Sequence, residues 1–376
     1  MINSLYIHIP FCIRKCIYCD FFSVPFDETL ALDYMNAVLR ELALRRDIAG
    51  ELKTIYIGGG TPTVLPTQSL MRLLGTLKDS YTISRDAEIT LEVNPGTIDG
   101  EKAQMLSGSG INRCSIGVQS FDDGELKLLG RIHNVADIVN AVEAVRNSGI
   151  GNLSLDLIYG IPGQIEDRWE RNLAKAIELV PEHISAYELT PEKGTELFEL
   201  FREKKLMKAP EETVIAMYYH TIDRLRDAGY RHYEISNFAK EGFSCRHNLN
   251  YWNRGEYIGI GAGAHSFIRD KRMKNLSDIG RYIEKLGDDD LAIEETVELS
   301  CEEAIKEFIF LGLRKAEGLD IREFRQDLGI DILEVSAGLI ADGLLESDGD
   351  RLRLTRSGIV VSNTVIAKLF EELERR

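Results

Sequence analysis

Three cysteines stand close together near the start of the chain, in the segment FCIRKCIYCDFF at 11–22. Cys12, Cys16 and Cys19 are spaced C-x3-C-x2-C, and no second cysteine pair follows to close a zinc site. Three neighbouring thiolates suit a cubane iron–sulfur cluster, in which each of four irons needs one ligand. Three protein ligands leave one iron open, and an open position can take a substrate or cosubstrate. The spacing therefore predicts a [4Fe–4S] cluster with one iron available to a second molecule.

Further polar or glycine residues stand where apolar, strand-like runs end. The segment IGGGTPT, with Gly60 and Thr61, lacks the G-x4-G-K-[ST] pattern of a phosphate loop, and its glycines allow close approach of a ligand to the backbone. Glu92, Gln119 and Asp156 end or nearly end three later runs. Each could by itself be a helix cap or a satisfied core group. Together they predict convergence on one ligand site.

The elements that must position these residues alternate along the chain. Strand-like runs occur at 5–10, 54–58, 87–93, 112–118, 153–159 and 183–189, and helical patterns near 28–47, 67–79, 99–108, 122–147 and 167–179. Alternating strands and helices favour a parallel sheet with right-handed crossovers. The pattern predicts an α/β fold built on a partial, open (β/α)6 barrel, with its chemistry at the carboxyl ends of the strands.

The composition excludes several classes of function. The formal charge of −16 over 376 residues argues against a nucleic-acid footprint. The chain contains no apolar run long enough to span a membrane, although peripheral membrane contact stays open. The N-terminal segment does not resemble a signal peptide, and six cysteines in 376 residues are no disulfide framework. We expect a cytoplasmic protein.

The C-terminal part reads as a small separate unit. Acidic and turn residues at 288–300 interrupt the pattern, so we expect domains at 1–290 and 300–376. Helical segments there precede a hairpin with its turn at Asp348–Asp350, which resembles a winged helix. Residues 300–376 carry 16 acidic and 11 basic side chains, and this balance opposes phosphate binding. We therefore expect a packing or protein-contact module.

The cysteine motif also carries a family resemblance. With Tyr18 before its last cysteine, C-x3-C-x-aromatic-C resembles the signature of radical S-adenosylmethionine (SAM) proteins. The resemblance implies that Cys12, Cys16 and Cys19 bind a [4Fe–4S] cluster, that SAM chelates the open iron, and that SAM is cleaved there. The later segments are similar to the coproporphyrinogen oxidase-like branch of the superfamily. By that resemblance the SAM-binding residues are Tyr6, Tyr18, Gly60, Thr61, Glu92, Gln119, Arg131 and Asp156.

Two departures separate the chain from oxygen-independent coproporphyrinogen III oxidase. Phe21 stands where that enzyme's motif has a further cysteine, and the first strand begins within a few residues of Met1. Both features, and the motif H-N-x-x-Y-W within 246–252, resemble the HemW-type heme chaperones. The resemblance implies a protein that binds heme and transfers it to an acceptor protein of unknown identity, without oxidase activity. The alternatives are the oxidase itself and, disfavoured by charge, an RNA-modifying radical SAM enzyme.

Two further segments have competing interpretations. Cys245 and His247 lie in a segment that reads as a loop, and both side chains are plausible heme ligands beside the porphyrin-packing candidates Tyr251 and Trp252. The alternative is that these are satisfied loop and core residues. The segment GIGAGA at 259–264 formally matches a dinucleotide fingerprint but lacks its βαβ context. We expect its glycines to approach the SAM adenosine or the barrel mouth.

Overall fold

The computed structural model describes residues 1–328 and 330–375 of the chain. Its strands are β1 (Ile2–Ile9), β2 (Phe11–Cys12), β3 (Val24–Pro25), β4 (Ala49–Gly59), β5 (Ile83–Val93), β6 (Arg113–Gln119), β7 (Asn152–Tyr159), β8 (His183–Glu188), β9 (Arg231–Glu234), β10 (Asn237–Ala239), β11 (Ile258–Ile260), β12 (His265–Ile268), β13 (Lys271–Asn275), β14 (Ile293–Glu298), β15 (Leu319–Asp320), β16 (Leu345–Ser347) and β17 (Arg351–Leu354). Its α-helices are α1 (Glu28–Arg45), α2 (Thr67–Ser80), α3 (Gly100–Gly108), α4 (Asp123–Leu128), α5 (Val135–Asn147), α6 (Glu166–Glu178), α7 (Glu196–Arg202), α8 (Glu211–Asp227), α9 (Arg246–Trp252), α10 (Ile279–Gly287), α11 (Cys301–Gly312), α12 (Ile321–Leu328), α13 (Ile332–Ala341), α14 (Arg356–Ile359) and α15 (Ser362–Glu374). Within these ranges no helix combines the length and the apolar character that a bilayer span needs.

The central sheet of the described chain has nine strands in the order β11-β1-β4-β5-β6-β7-β8-β10-β9. Neighbours from β11 to β8 are parallel, and β10 and β9 are added antiparallel at the far edge. Strands β1, β4, β5, β6, β7 and β8 are the six that the sequence predicts, and helices α1 to α6 lie between them in chain order. The prediction of an α/β fold with a partial six-unit barrel is confirmed, and β11 extends it by one parallel strand.

The glycine-rich segment at 259–264 forms part of β11 and the turn after it. The main-chain N–H of Gly261 donates to Glu41 of α1 (2.8 Å), and that of Ala262 donates to the hydroxyl of Tyr34 (3.0 Å). Gly261 has a φ of +104°, and a Cβ there would lie 2.5 Å from the Tyr34 hydroxyl, so only glycine fits. Gly261 and Ala262 thus attach the edge strand β11 to α1, and the expectation that the glycines of 259–264 approach the SAM adenosine or the barrel mouth stays a prediction.

The helix predicted near 122–147 is interrupted. The structure has two helices, α4 and α5, and the chain turns between them at Gly130, whose φ is +77°. A Cβ on Gly130 would lie 3.3 Å from Ile17 of the cysteine loop, so the break is also a point of close packing. The prediction of a single helix is wrong because this glycine leaves the helical conformation and turns the chain toward the strand ends at Arg131.

The C-terminal unit has a hydrophobic cluster of its own, which includes Ile309, Phe324 and Leu369. Helices α11 to α13 surround the sheet β15-β17-β16, and the hairpin turn between β16 and β17 falls at 348–350 as predicted. Helix, short strand, two helices and hairpin follow one another in the order of a winged helix. The division of the chain into domains at 1–290 and 300–376 stays a prediction.

Ion pairs connect this unit to the rest of the chain. The carboxylate of Glu307 on α11 accepts hydrogen bonds from Arg254 Nε (2.8 Å) and from Arg272 Nη2 (2.7 Å). Arg356 at the start of α14 donates to both carboxylate oxygens of Asp223 on α8, at 2.8 and 2.6 Å. Bidentate and shared pairs of this kind fix orientation better than single surface pairs do. They hold the C-terminal unit against α8 and the segment around β12 and β13.

Candidate functional site

The barrel strands carry polar side chains on alternate positions, and these positions face the inside of the sheet. In β6, Arg113 and Ser115 line a cavity, whereas Ile116 is fully buried in the hydrophobic core. In β7, Asp156 lines the same cavity and accepts hydrogen bonds from Ser115 Oγ (3.0 and 3.1 Å) and Ser154 Oγ (3.3 Å). The interior is therefore a hydrogen-bonded polar surface rather than a sealed apolar core.

The cavity lies at the carboxyl ends of these strands and has a volume of about 400 Å³. The structure brings nearly all the sequence-predicted site residues to its wall: Cys12, Cys16, Tyr18, Cys19, Gly60, Thr61, Glu92, Gln119, Arg131 and Asp156. They come from the cysteine loop after β1, from the ends of β4 to β7 and from the loop between α4 and α5. Their convergence is what parallel strand ends dictate, and their roles as ligands stay predictions.

The cysteine loop is held by short contacts to neighbouring strand ends. Thr61 Oγ1 donates to the Cys12 thiol (3.7 Å), and Arg131 Nη1 donates to the Cys16 thiol (3.4 Å). Within the loop, the N–H of Cys19 donates to the carbonyl of Cys16 (3.2 Å). Hydrogen bonds to cysteine sulfur are among the means by which proteins tune iron–sulfur clusters. The loop is thus supported by residues that the strand ends supply.

The donor set fits a cluster better than it fits a single metal ion. Cys12, Cys16 and Cys19 are free thiols that line one cavity. Burial raises the pKa of Cys12 and raises that of Cys19 to about 11, so a bound metal must displace their protons. In the part of the chain that the structure describes, no three histidine, cysteine, aspartate or glutamate side chains surround one ion site. Three cysteine thiols in one cavity are the donor set that a [4Fe–4S] cluster takes, with one iron left open.

Arg131 reaches the cavity from the turn at Gly130. Its Nη2 donates to the carbonyl of Gly117 (2.8 Å), and its Nε is buried without a partner among the described residues. The nearby His133 has its pKa lowered to about 4 by burial and by the Arg131 charge, so the imidazole stays neutral. Arg131 is therefore the positive charge beside Cys16, with donor capacity left for a carboxylate.

Glu92 is buried at the end of β5. Its carboxylate accepts hydrogen bonds from Tyr56 Oη (2.9 Å) and from the N–H of Gly59 (2.9 Å). Burial nevertheless raises the pKa of Glu92 to about 7. A Cβ on Gly58 would lie 2.7 Å from the carboxylate carbon, so this glycine makes room for Glu92.

The remaining acceptors lie beside Glu92. Burial also raises the pKa of Asp156, and Gln119 ends β6 with a φ of +66°, a strained conformation for a residue with a side chain. Acceptors on Glu92, Asp156 and Gln119 complement the donors of Arg131. Such a set can hold a molecule that carries an ammonium group, a carboxylate and sugar hydroxyls.

Among the predicted SAM-binding residues, Tyr6 does not line the cavity in the described structure. Its hydroxyl is paired with His8 Nδ1 (2.9 Å), and its ring stacks on Tyr56 with 6.2 Å between ring centroids. The other nitrogen of His8 is paired with the carbonyl of Phe22 (2.8 Å). Tyr6 therefore supports the strand and the cysteine loop, and its role as a SAM contact stays a prediction.

The predicted heme loop is a helix. Residues 246–252 form α9, whose first N–H groups, those of Arg246 and His247, donate to the carboxylate of Glu88 at 3.0 and 3.1 Å. Cys245, just before the helix, is fully buried, and its thiol lies 3.5 Å from Glu88. The negative carboxylate of Glu88 accepts the free N–H groups at the start of α9 and balances the partial positive charge there. The expectation of an exposed loop is wrong because tertiary contacts with Glu88 complete this helix.

The side chain of His247 is likewise buried and hydrogen-bonded in the interior. Its Nδ1 is paired with Thr54 Oγ1 (2.9 Å) and its Nε2 with Tyr251 Oη (2.8 Å). Burial lowers the pKa of His247 to about 3, so the ring is neutral. An iron ligand needs a free nitrogen lone pair, and both nitrogens are occupied. The structure therefore does not bring Cys245 and His247 together as an accessible heme site.

Two residues of the cavity floor were missed from the sequence. Arg113 is 1% exposed, and Asn248 of α9 lies beside the same cavity. The alternation in RCSIGVQ places Arg113 on the same face as Gln119, which is a signal the sequence does contain. Asn248 has no comparable signal, because its position depends on how α9 packs into the barrel.

Comparisons with known proteins identify the relatives of this chain. The family model described as "Radical SAM superfamily" matches residues 6–176, and "HemN C-terminal domain" matches residues 299–361. The chain is 35% identical to "Heme chaperone HemW" of Bacillus subtilis (strain 168), over 99% of this chain and 100% of that protein. It is 37% identical to the protein of the same name from Lactococcus lactis subsp. lactis (strain IL1403), over 97% of both chains. The corresponding protein of Escherichia coli (strain K12) is 36% identical over 98% of both.

One solved structure resembles the whole fold. The coproporphyrinogen III oxidase HemN from Escherichia coli, described as a radical SAM enzyme, superposes with a TM-score of 0.84. The match covers 97% of this chain and 89% of that one, at 23% sequence identity. At this identity the likeness shows the fold and does not extend to the reaction.

Proposed function

The chain belongs to the HemW family of radical SAM proteins, and on that premise we propose that it holds a [4Fe–4S] cluster and SAM in the cavity, binds heme and passes it to an acceptor protein. The proposal is carried by one observation: a cavity lined by three free thiols and by four strand-end polar groups, in a chain related over its whole length to heme chaperones. The acceptor protein and the heme ligand are unassigned, and cytoplasmic location stays a prediction.

The residues have distinct roles in this proposal. Cys12, Cys16 and Cys19 would hold the cluster, and the chemistry that such a cluster supplies when bound is one-electron cleavage of SAM. Arg131 orients a carboxylate beside Cys16, because its guanidinium retains donor capacity there. Glu92 accepts from an ammonium group. The buried position of these groups limits access of water and strengthens each contact.

Heme binding is proposed from the family, without the loop ligands expected from sequence. Because α9 buries Cys245 and His247, we assign the heme to neither of them. The test is a titration of the full chain with hemin, followed by mixing with apomyoglobin as a test acceptor. We expect a Soret band that saturates near one hemin per chain and then shifts to that of myoglobin. Absence of saturable binding would refute the proposal.

The oxidase alternative is tested separately. Phe21 stands in place of the oxidase's further cysteine, and it is 60% exposed at the cavity rim, where it binds no metal. The reduced, cluster-loaded protein should be incubated anaerobically with SAM and coproporphyrinogen III. We expect no catalytic formation of protoporphyrinogen, and multiple turnovers would instead establish an oxidase.

A further inference from the structure

Arg113 is a buried cation without a partner. Its side chain is among the largest fully buried ones, yet it lines the cavity. Nε has no hydrogen-bond partner, and within residues 1–328 and 330–375 no ion pair or hydrogen bond of this guanidinium is found. A buried charge normally requires several hydrogen bonds to offset the loss of hydration. Arg113 makes none, and its burial is offset instead by the charges of the nearby Cys245 and Glu88, which raise its pKa overall.

The acidic residues around Arg113 compensate its charge but do not occupy its hydrogen-bond donors. Glu88 accepts two main-chain N–H groups at the start of α9. Glu92 accepts a tyrosine hydroxyl and a glycine N–H, and Asp156 accepts serine hydroxyls. Each carboxylate is thus satisfied by neutral donors and lies beyond ion-pair distance of Arg113. Their charges lower the free-energy cost of burying the guanidinium, but its N–H donors have no hydrogen-bond acceptor.

Other unused polar groups surround the same level of the barrel. Asn248 also lines the cavity, and its carboxamide makes no hydrogen bond with the described residues. Arg113 is in register with Thr90 on β5 and with Asn152 on β7. Thr90 Oγ1 and Asn152 Oδ1 are buried atoms without partners in the described chain. Thr90 and Asn152 do not line the cavity themselves, so Arg113 and Asn248 are the groups with free donors that a polar ligand or water in the cavity can reach.

This level is distinct from the proposed SAM carboxylate position. Arg131 lies beside Cys16 at the mouth, next to Gln119 at the end of β6. Arg131 Nη2 donates to the carbonyl of Gly117, and four residues separate Gly117 from Arg113, which corresponds to roughly 13 Å along the strand. The two guanidinium groups therefore meet the cavity at different levels of β6. We propose that Arg113 and Asn248 form a subsite that binds the carboxylate of a second ligand, deeper in the cavity than SAM. The inference rests on the proposed function only in making SAM the first ligand.

A stability measurement separates this role from a structural one. Arg45 is a matched control, because it is equally buried but donates to Glu41 (2.9 Å) and Asn275 (3.2 Å). We expect Arg45→Gln to lower the urea midpoint of the ligand-free protein more than Arg113→Gln does. Removal of Arg45 leaves its hydrogen-bond partners unsatisfied, whereas Arg113 interacts with the surrounding acidic groups through charge alone. A fall for Arg113→Gln as large as that for Arg45→Gln would make Arg113 structural and overturn the proposal.

A ligand measurement tests the chemistry directly. Melting temperatures are recorded with formate, acetate or propionate against chloride at equal ionic strength, without cluster or SAM. The wild type should be stabilised by at least one carboxylate, and Arg113→Gln should not. Arg113→Lys keeps the positive charge but loses the paired N–H donors of the guanidinium, so its melting temperature should rise less than that of the wild type. This variant replaces Arg113→Gln in the test if Arg113→Gln does not fold. If carboxylates change the melting temperatures of the wild type and both variants equally, the subsite is refuted, and this result does not depend on whether the protein binds hemin.

The source of the carboxylate is distinguished with hemin and hemin dimethyl ester. If a propionate side chain enters the subsite, the wild type binds hemin at least tenfold more tightly than the ester, and Arg113→Gln removes the difference. If short carboxylates stabilise the wild type but the two hemins bind equally, the ligand is a small carboxylic acid. If the wild type shows neither effect, the proposal is overturned.

Discussion

Replacement of Glu92 by glutamine should change how the stability of the protein depends on pH. Burial raises the pKa of Glu92 from the ordinary 4.5 to about 7. A carboxyl group whose folded-state pKa is raised contributes stability that is fully present below pH 4.5 and is lost as the pH rises toward 7. At about 1.4 kcal/mol per pKa unit, the full loss is roughly 3 kcal/mol. Glutamine does not titrate, so Glu92→Gln avoids this loss.

The difference between the two proteins isolates this residue, because all other titrating groups are common to both. Between pH 5.5 and 8, the unfolding free energy of the wild type should fall by about 2 kcal/mol relative to that of Glu92→Gln. Lost hydrogen bonds to Gly59 or Tyr56 add an offset that does not vary with pH. Urea unfolding of both cluster-free proteins across this range measures the difference.

A difference that stays constant from pH 5.5 to 8 would show that Glu92 titrates normally. A difference of opposite sign would show that its hydrogen bonds outweigh burial. Gln164→Glu is unsuitable as a control, because Gln164 belongs to another buried network. Exposed Leu32→Gln on α1 is suitable, and its difference from the wild type should not vary over the same range because neither side chain titrates.

Three other substitutions test the site. Cys16→Ser should abolish reconstitution of the cluster, whereas Cys114→Ser, on the core face of β6, should keep the iron content and absorption of the wild type; loss of iron in the latter would refute the ligand assignment. Arg131→Gln should weaken SAM binding about ten- to a hundredfold, as removal of a buried charge-assisted contact does, and unchanged affinity in calorimetry would move the SAM carboxylate elsewhere. His247→Ala should lower the melting temperature, because it leaves Thr54 and α9 without a buried contact. The Soret maximum of bound hemin should not change, and a shift would return this residue to the heme site.

The barrel and its strand-end residues could be predicted because their signals are local. Each strand is a short apolar run, and parallel strands bring their carboxyl ends together whatever lies between them. Gly60, Glu92 and Asp156 therefore reached the cavity without knowledge of any long-range contact. The break at Gly130 was missed because one glycine inside a helical pattern is often tolerated.

The floor of the cavity could not be predicted, since α9 depends on distant partners. RHNLNYW has no clear hydrophobic periodicity, and its helix is completed by Glu88, more than 150 positions earlier in the chain. Arg113 was overlooked for a different reason. A charged residue at the start of a strand usually faces solvent, and this expectation outweighed the alternation in RCSIGVQ that places Arg113 on the same face as Gln119.

The pairing of β11 with β1 has a consequence for biosynthesis. Leu5 pairs with Ile258, so the outer edge of the first strand has no partner until nearly the whole barrel has been translated. At roughly 5–20 residues per second, the ~250 intervening residues take about 12–50 s. During this time β1 presents an apolar edge, with Leu5, Ile7 and Ile9 destined for the core. Unpaired apolar edges template aggregation, so ribosome stalling before codon 258 should yield insoluble nascent chains, and chains released beyond it should stay in solution.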